Sequence, residues 1–310
     1  MTRIKTAAAS IRGAVSAMVV IAVIVVGCSS SEPTESPETT VNVESFESAA
    51  VSAFPVESFV VVANADIGTG PTRILIGVVS QDGSRLGSPD HAIQVVAAPI
   101  DDPDRSQRVP GEYTWIIEDA IGLYRAEFDF DRAGTWAITV TPERGDPLPP
   151  APFTVLEETN SPNVGETAPE APAPTLRDHA IEDLTTDRDP DPRFYELTLA
   201  EALNSGRRTV LVFSTPAYCM TATCGPLLDT VKAQADGYPE VNFIHIEVFT
   251  GFNEPGFAPV PESLATAASA EYWNLPSEPW VFVIDEQGTV TARFEGLMTA
   301  NELATALTKE

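Results

Sequence analysis

Residues 209–226 read Thr209-Val210-Leu211-Val212-Phe213-Ser214-Thr215-Pro216-Ala217-Tyr218-Cys219-Met220-Thr221-Ala222-Thr223-Cys224-Gly225-Pro226. The apolar run from Thr209 to Phe213 has the pattern of a buried strand. Pro226 suits the first turn of a helix, where a missing N–H costs nothing. A strand therefore passes into a helix through a stretch that holds two cysteines. Five steps of regular helix rise about 7.5 Å, beyond the usual Cα separation of a disulfide. A bond between Cys219 and Cys224 thus requires part of Met220 to Thr223 to be non-helical.

Outward from this stretch the pattern alternates helix and strand. The helix after Pro226 runs to about Gly237, and Val241 to Val248 reads as a second, parallel strand. Pro261 to Tyr272 reads as a helix. Trp280 to Ile284, a turn at Gly288 and Val290 to Phe294 make an antiparallel hairpin, and Thr299 with Glu302 caps a last helix. Upstream, Thr198 with Glu201 forms a capping box for a helix ending at Gly206. The order is αβαβαββα.

This order, with a cysteine pair between first strand and second helix, resembles the thioredoxin family across about Thr198 to Leu307. The run Phe213 to Cys219 looks like that family's strand end, with an aromatic residue directly before the nucleophilic cysteine. Pro279, directly before the strand from Trp280, looks like its cis-proline. The resemblance implies an α/β thioredoxin-like domain over 179–310 and thiol–disulfide exchange at Cys219 and Cys224. It places Pro279 beside the sulfurs, with exported protein thiols or disulfides as partners and no cofactor. Tyr218 and Trp280 are expected to line the substrate site; the long loop Gly251 to Phe257 either adds to its wall or covers the core with Phe252 and Phe257. A thiol at a helix N-terminus is favoured as thiolate, and Cys219 is the expected attacking sulfur. Because Cys224-Gly225-Pro226 itself resembles the start of the family's Cys-Gly-Pro-Cys motif, Cys224 is the alternative.

Two features depart from the family. Four residues separate the cysteines where members have two, and Val212 stands where many have a buried Asp that assists proton transfer. The rival reading is a non-catalytic binding or metal-delivery lipoprotein with a structural disulfide. A staple over so short a loop contributes only about 2 kcal/mol, against about 4.7 for a hundred-residue loop. Metal delivery would add His245 to the thiolates, in the manner of Sco-type copper chaperones, but their Cys-x-x-x-Cys spacing and late histidine are absent. No metal ligands are expected.

Between Phe59 and Leu156 short alternating segments recur between turn clusters such as Gln81-Asp82-Gly83-Ser84 and Asp131-Arg132-Ala133-Gly134. Tyr124, Ala126 and Phe128, then Trp136, Ile138 and Val140, fall on one face of their strands. Gly122-Leu123-Tyr124 after Asp119 is similar to the tyrosine corner of immunoglobulin-like sandwiches. The chain thus reads as multidomain: an all-β immunoglobulin-like sandwich over 56–157, a Pro-rich linker over 158–178, and the α/β domain over 179–310.

The remaining N-terminal residues read as targeting and tether. Arg3, Lys5 and Arg12 precede an apolar stretch from Ala14 to Val26, and Val25-Val26-Gly27-Cys28 resembles a lipobox. Residues 1–28 are therefore expected to be a lipoprotein signal peptide ending at lipidation site Cys28, with 29–55 a disordered tether rich in Ser, Glu, Thr and Pro. This predicts a chain lipid-anchored on the extracytoplasmic face of a bacterial cell membrane, where disulfides persist. Setting Cys28 aside leaves Cys219 and Cys224 as partners. A formal net charge of -27 argues against nucleic acid as a partner.

Overall fold

The strands with the clearest alternation, Ile121–Phe130 and Gly134–Pro142, are both interior strands of the first sheet. In this computed structural model, which describes residues 53–55, 57–269 and 271–308, eight strands precede the first helix: β1 (Phe59–Val62), β2 (Gly70–Val79), β3 (Arg85–Leu86), β4 (Ile93–Pro99), β5 (Gln107–Ile117), β6 (Ile121–Phe130), β7 (Gly134–Pro142) and β8 (Ala151–Val155). The signal peptide with Cys28, and nearly all of the tether, lie outside the described residues. Tyr124, Ala126 and Phe128 of β6 and Trp136, Ile138 and Val140 of β7 all point into one core, each at most 4% exposed.

These strands do not form two separate layers. They make one antiparallel sheet in the order β1-β2-β6-β5-β4-β7-β8, with β3 added to β2, and a Gly68–Leu156 bridge brings its ends together. The cause is β5. Its first half, Gln107 to Gly111, pairs with β4, and its second half, from Glu112, pairs with β6. The change-over falls at Pro110-Gly111, where a Cβ on Gly111 would sit 2.6 Å from the Ile93 side chain. The sheet therefore curls almost closed instead of splitting into an immunoglobulin-like sandwich. Nor is there a tyrosine corner beside Asp119: the Tyr124 hydroxyl donates across the sheet to the His91 carbonyl, 3.1 Å away.

The second half holds α1 (Leu199–Leu203), β9 (Thr209–Ser214), α2 (Cys224–Ala235), β10 (Asn242–Glu247), β11 (Trp280–Ile284), β12 (Val290–Glu295) and α3 (Ala300–Thr308). Its sheet is mixed, in the order β10-β9-β11-β12, with β10 and β9 parallel and the other pairs antiparallel. Strand β9 is buried throughout, and apolar from Val210 to Phe213, because both its faces are covered. Val210 and Val212 pack with Leu227, Leu228 and Val231 of α2 and Leu303 of α3, whereas Leu211 and Phe213 pack with Trp273, Phe282 and Leu199.

The helical content expected here is not reached. The helix from Thr198 is capped as expected but spans only Leu199–Leu203, and 261–272 forms two 3-10 turns, Pro261–Ser263 and Thr266–Ala268. The segment instead lies along the end of β10, with a Phe249–Leu264 bridge and an Ala265 N–H to Val248 carbonyl bond in place of helical hydrogen bonds. The chain is mostly β: a near-closed eight-stranded sheet and a four-stranded mixed sheet with few helices. This corrects both halves of the expected fold class, the immunoglobulin-like sandwich and the α/β thioredoxin-like domain.

Ala49–Glu310 group as one compact unit. Residues 158–178 pack along the second sheet, with Ala168, Ala171 and Ala173 buried and Thr167 bridged to Thr289. Two ionic knots join the sheets. Asp66 accepts from the Asn160 and Ser161 amides and from Arg293 of β12, while Glu302 of α3 receives Arg73 of β2 and Arg125 of β6.

Candidate functional site

Cys219 and Cys224 are joined by a disulfide with a Cα separation of 5.9 Å. The residues between them are non-helical, as the spacing requires, and Ala222 takes a left-handed conformation with φ 61°. Cys224 is the first residue of α2, while Cys219 lies ahead of the helix on the loop from β9. Even so, it is the Cys219 sulfur that meets the helix end: the Cys224 N–H donates to Cys219 Sγ at 3.2 Å. Thr223, in the N-cap position, caps nothing with its side chain and instead bonds Thr221 at 2.6 Å. Thr221 Oγ1 in turn lies 3.3 Å from Cys219 Sγ. Cys219 is half-buried and Cys224 is fully enclosed, so the two sulfurs are inequivalent in both access and electrostatics.

The Glu278–Pro279 peptide bond is cis, and Pro279 is buried just ahead of β11. Trp280 pairs in register with Phe213, so this bond lies beside the β9 end from which the cysteine loop departs. The preceding residue makes the link to that loop. Burial pushes the Glu278 carboxyl above its ordinary range, while the Met220 N–H draws it back. Alongside, Ser277 donates to Glu295 at 2.6 Å, and Glu295 also accepts from the Ala65 N–H at 2.8 Å.

A second polar chain runs beneath the loop. The Ala217 N–H donates to Thr186 Oγ1 (3.1 Å), and Thr186 donates through its hydroxyl (2.9 Å) and its N–H (2.8 Å) to Glu247 Oε2. Burial raises the Glu247 carboxyl to about 7, against the opposing pull of the Thr215 and Thr186 donors. His245, one turn of the pleat away, bonds Tyr195 through Nδ1 (2.6 Å) and Ser214 through Nε2 (2.7 Å). Burial lowers its pKa to about 4, so it stays neutral.

The structure thus gathers Cys219, Cys224, Tyr218 and Pro279 near the C-terminal end of β9. Tyr218 is half-buried, donating to the Phe252 carbonyl at 3.3 Å and packing on Phe257. Trp280, expected on a substrate wall, is instead a core residue: it is 1% exposed, stacked on Phe282, with the Arg293 guanidinium 4.8 Å from its ring centroid. The sequence signal misled because an aromatic residue after the proline begins an inward-facing strand. His245 cannot join the sulfurs at a metal while both its ring nitrogens are engaged, and among the described residues no cluster of three His, Cys, Asp or Glu side chains is arranged to hold an ion. Thr221, Glu278 and Glu247 were missed. Of these only Glu247 left a trace in the sequence, as a charged residue inside the apolar run Val241 to Val248.

No protein-family model matches the chain, and no curated protein matches its sequence. Among the described residues no helix is long and apolar enough to cross a membrane.

Proposed function

We propose that the chain is a lipid-anchored extracytoplasmic thiol–disulfide exchange protein, in which Cys219 meets exported client proteins and Cys224 is the buried resolving sulfur. The observation that carries this reading is the asymmetry of the pair: Cys219 is half-buried and its Sγ receives the first amide of α2, while Cys224 is enclosed. An N–H donor and the positive end of a helix favour a thiolate at Cys219 and make it the better attacking and leaving group. The motif resemblance around Tyr218-Cys219 and Pro279 points the same way. Anchoring through Cys28 rests on the basic, apolar and Gly27-Cys28 pattern of the N-terminal residues.

The chemistry balances without a cofactor. From the disulfide form, a client thiolate attacks Cys219 Sγ, the Cys219–Cys224 bond breaks, and Cys224 leaves as a thiolate. A second client thiolate then attacks the client sulfur of the mixed disulfide and releases Cys219. The client loses two electrons and two protons, and the pair gains the electrons; the reverse sequence reduces a client disulfide.

Mixed-disulfide trapping by the full chain in detergent tests this. Cys224→Ser should accumulate a covalent adduct on Cys219 when a disulfide-bearing client is supplied, Cys219 attacking the client disulfide and releasing one client thiolate, and Cys219→Ser should accumulate none. The wild-type bond should open in a glutathione buffer, above the roughly -300 mV of structural disulfides in secreted proteins. Trapping that depends on Cys224 would exchange the two roles. A bond that resists glutathione, with no adduct on either variant, would leave an inert disulfide in a binding protein.

A further inference from the structure

A cavity of about 560 Å3 opens between the two sheets, directly against the cysteine loop. Its size is that of a site for a ligand or a short peptide segment, for which about 300–1,000 Å3 is usual. One wall is the outer face of the first sheet. Val61 of β1, Gly77 and Val79 of β2 and Leu123 of β6 point there, opposite in parity to the core residues Val60, Val78 and Tyr124. The facing wall carries Thr221 and Thr223 from the cysteine loop. Thr221 lines the cavity and its hydroxyl also lies 3.3 Å from Cys219 Sγ, so one residue joins the cavity to the sulfur.

The two ends of the cavity differ in charge. The β1–β2 register fixes its direction: Val62 faces Ile76 at one end, and Phe59 faces Val79 at the other, where Arg85 of β3 pairs with Val79. Leu75 to Val79 spans about 13 Å at about 3.3 Å per residue, room for some four extended residues. At the Leu75 end stand Glu278 and Glu295, beside the cysteine loop, and neither carboxylate has a cationic partner within salt-bridge distance among the described residues. At the Val79 end stands exposed Arg85. An occupant that matches this surface is extended, apolar in the middle and basic near the sulfur.

The geometry points to this cavity as the client groove: it receives an extended cysteine-bearing polypeptide segment with a basic residue beside the cysteine and apolar residues leading away toward Arg85. The inference rests on the thiol–disulfide reading above. Gly77 gives the groove its depth, since a Cβ there would meet Leu123 at 3.4 Å and a longer side chain would project into the space.

The test uses the oxidised full chain in detergent and three reduced two-cysteine peptides of equal length. One carries Lys beside a cysteine followed by leucines, the second replaces Lys with Glu, and the third replaces the leucines with Ser. The second-order rate of peptide oxidation is compared with that of dithiothreitol. The Lys/Leu peptide should react at least ten-fold faster than either of the others. Gly77→Leu and Val61→Arg, the second at a position 40% exposed and tolerant of a long side chain, should each remove that preference and leave the dithiothreitol rate within two-fold. Equal rates for all three peptides, or a preference that survives in both variants, would overturn the groove while dithiothreitol exchange keeps the redox reading intact. Equal rates that rise together when residues 29–52 are deleted would put the chain's own N-terminal segment in the groove, and also overturn it. No exchange even with dithiothreitol would overturn both.

Discussion

Asp66 is the residue whose removal should do most damage far from the cysteines. Its side chain is fully enclosed and accepts from the Asn160 N–H (2.7 Å), the Ser161 N–H (3.0 Å), the Ser161 hydroxyl (2.7 Å) and Arg293 (2.7 Å). Asp66→Ala strands the Arg293 guanidinium, itself 11% exposed, without its counter-charge. Breaking a buried pair from one side costs about 3–5 kcal/mol, a large part of a typical total of about 5–15. Arg293→Met together with Asp66→Ala removes both charges and keeps apolar cover over Trp280, so the double variant should be more stable than Asp66→Ala alone. Urea unfolding followed by tryptophan emission measures all three. Burial by itself would raise the Asp66 carboxyl, but the Asn160, Ser161 and Arg293 contacts outweigh it and hold it below the ordinary 3.8. A depressed pKa stabilises the fold above that ordinary value, and the contribution is lost as pH falls through the lower folded-state value. The stability gap between wild type and Asp66→Asn should therefore narrow only in strong acid. A loss below about 1 kcal/mol for Asp66→Ala, or a double variant no better than the single, would refute a buried pair as the tie between the sheets.

Two further outcomes are expected. Glu247, with its carboxyl raised from 4.5 to about 7, holds a proton in the folded chain that the unfolded chain has released, so stability should fall as pH rises across that interval. At about 1.4 kcal/mol per pH unit the fall approaches about 3 kcal/mol, and Glu247→Gln should abolish it in unfolding curves taken from pH 5 to 8. Cys28→Ser should move the protein from the membrane fraction to the soluble fraction, or leave it unprocessed on a gel; unchanged retention and mobility would count against lipidation.

The sequence made local order plain and long-range order opaque. Alternation in β6 and β7 exposed their inward faces, apolar runs exposed β9 and, broken by Asn242, His245 and Glu247, β10, and Gly288, at φ 81°, marked the β11–β12 turn. The capping pairs Thr198–Glu201 and Thr299–Glu302 were equally readable, because both partners lie within one turn. Strand β5 was not, since the ladder change at Pro110-Gly111 depends on two neighbours distant in the chain, β4 and β6. The helix expected over 261–272 gave way to pairing with the end of β10 through Leu264 and Ala265, a tertiary contact that carries no local signal. At the site, both cysteines and Pro279 stand out by residue type. Glu278 and Thr221 do not, because ordinary polar residues acquire a role only when folding brings them against the cysteine loop, Thr221 at the Cys219 sulfur and Glu278 at the Met220 N–H. Asp66 and Arg293 are 227 positions apart, a separation at which a single sequence carries no local signal.

Strand β5 also governs how the first sheet can be taken apart. One strand supplies the ladder to β4 and to β6, so a cut anywhere in the middle of that sheet strips a partner from whichever fragment loses β5. The natural place to open it is the rim where β1 and β8 meet, which the Gly68–Leu156 bridge spans. Fragment complementation or circular permutation of this protein should therefore succeed only with breakpoints that keep 93–130 on one piece, and a force applied across β4 and β6 loads a single backbone.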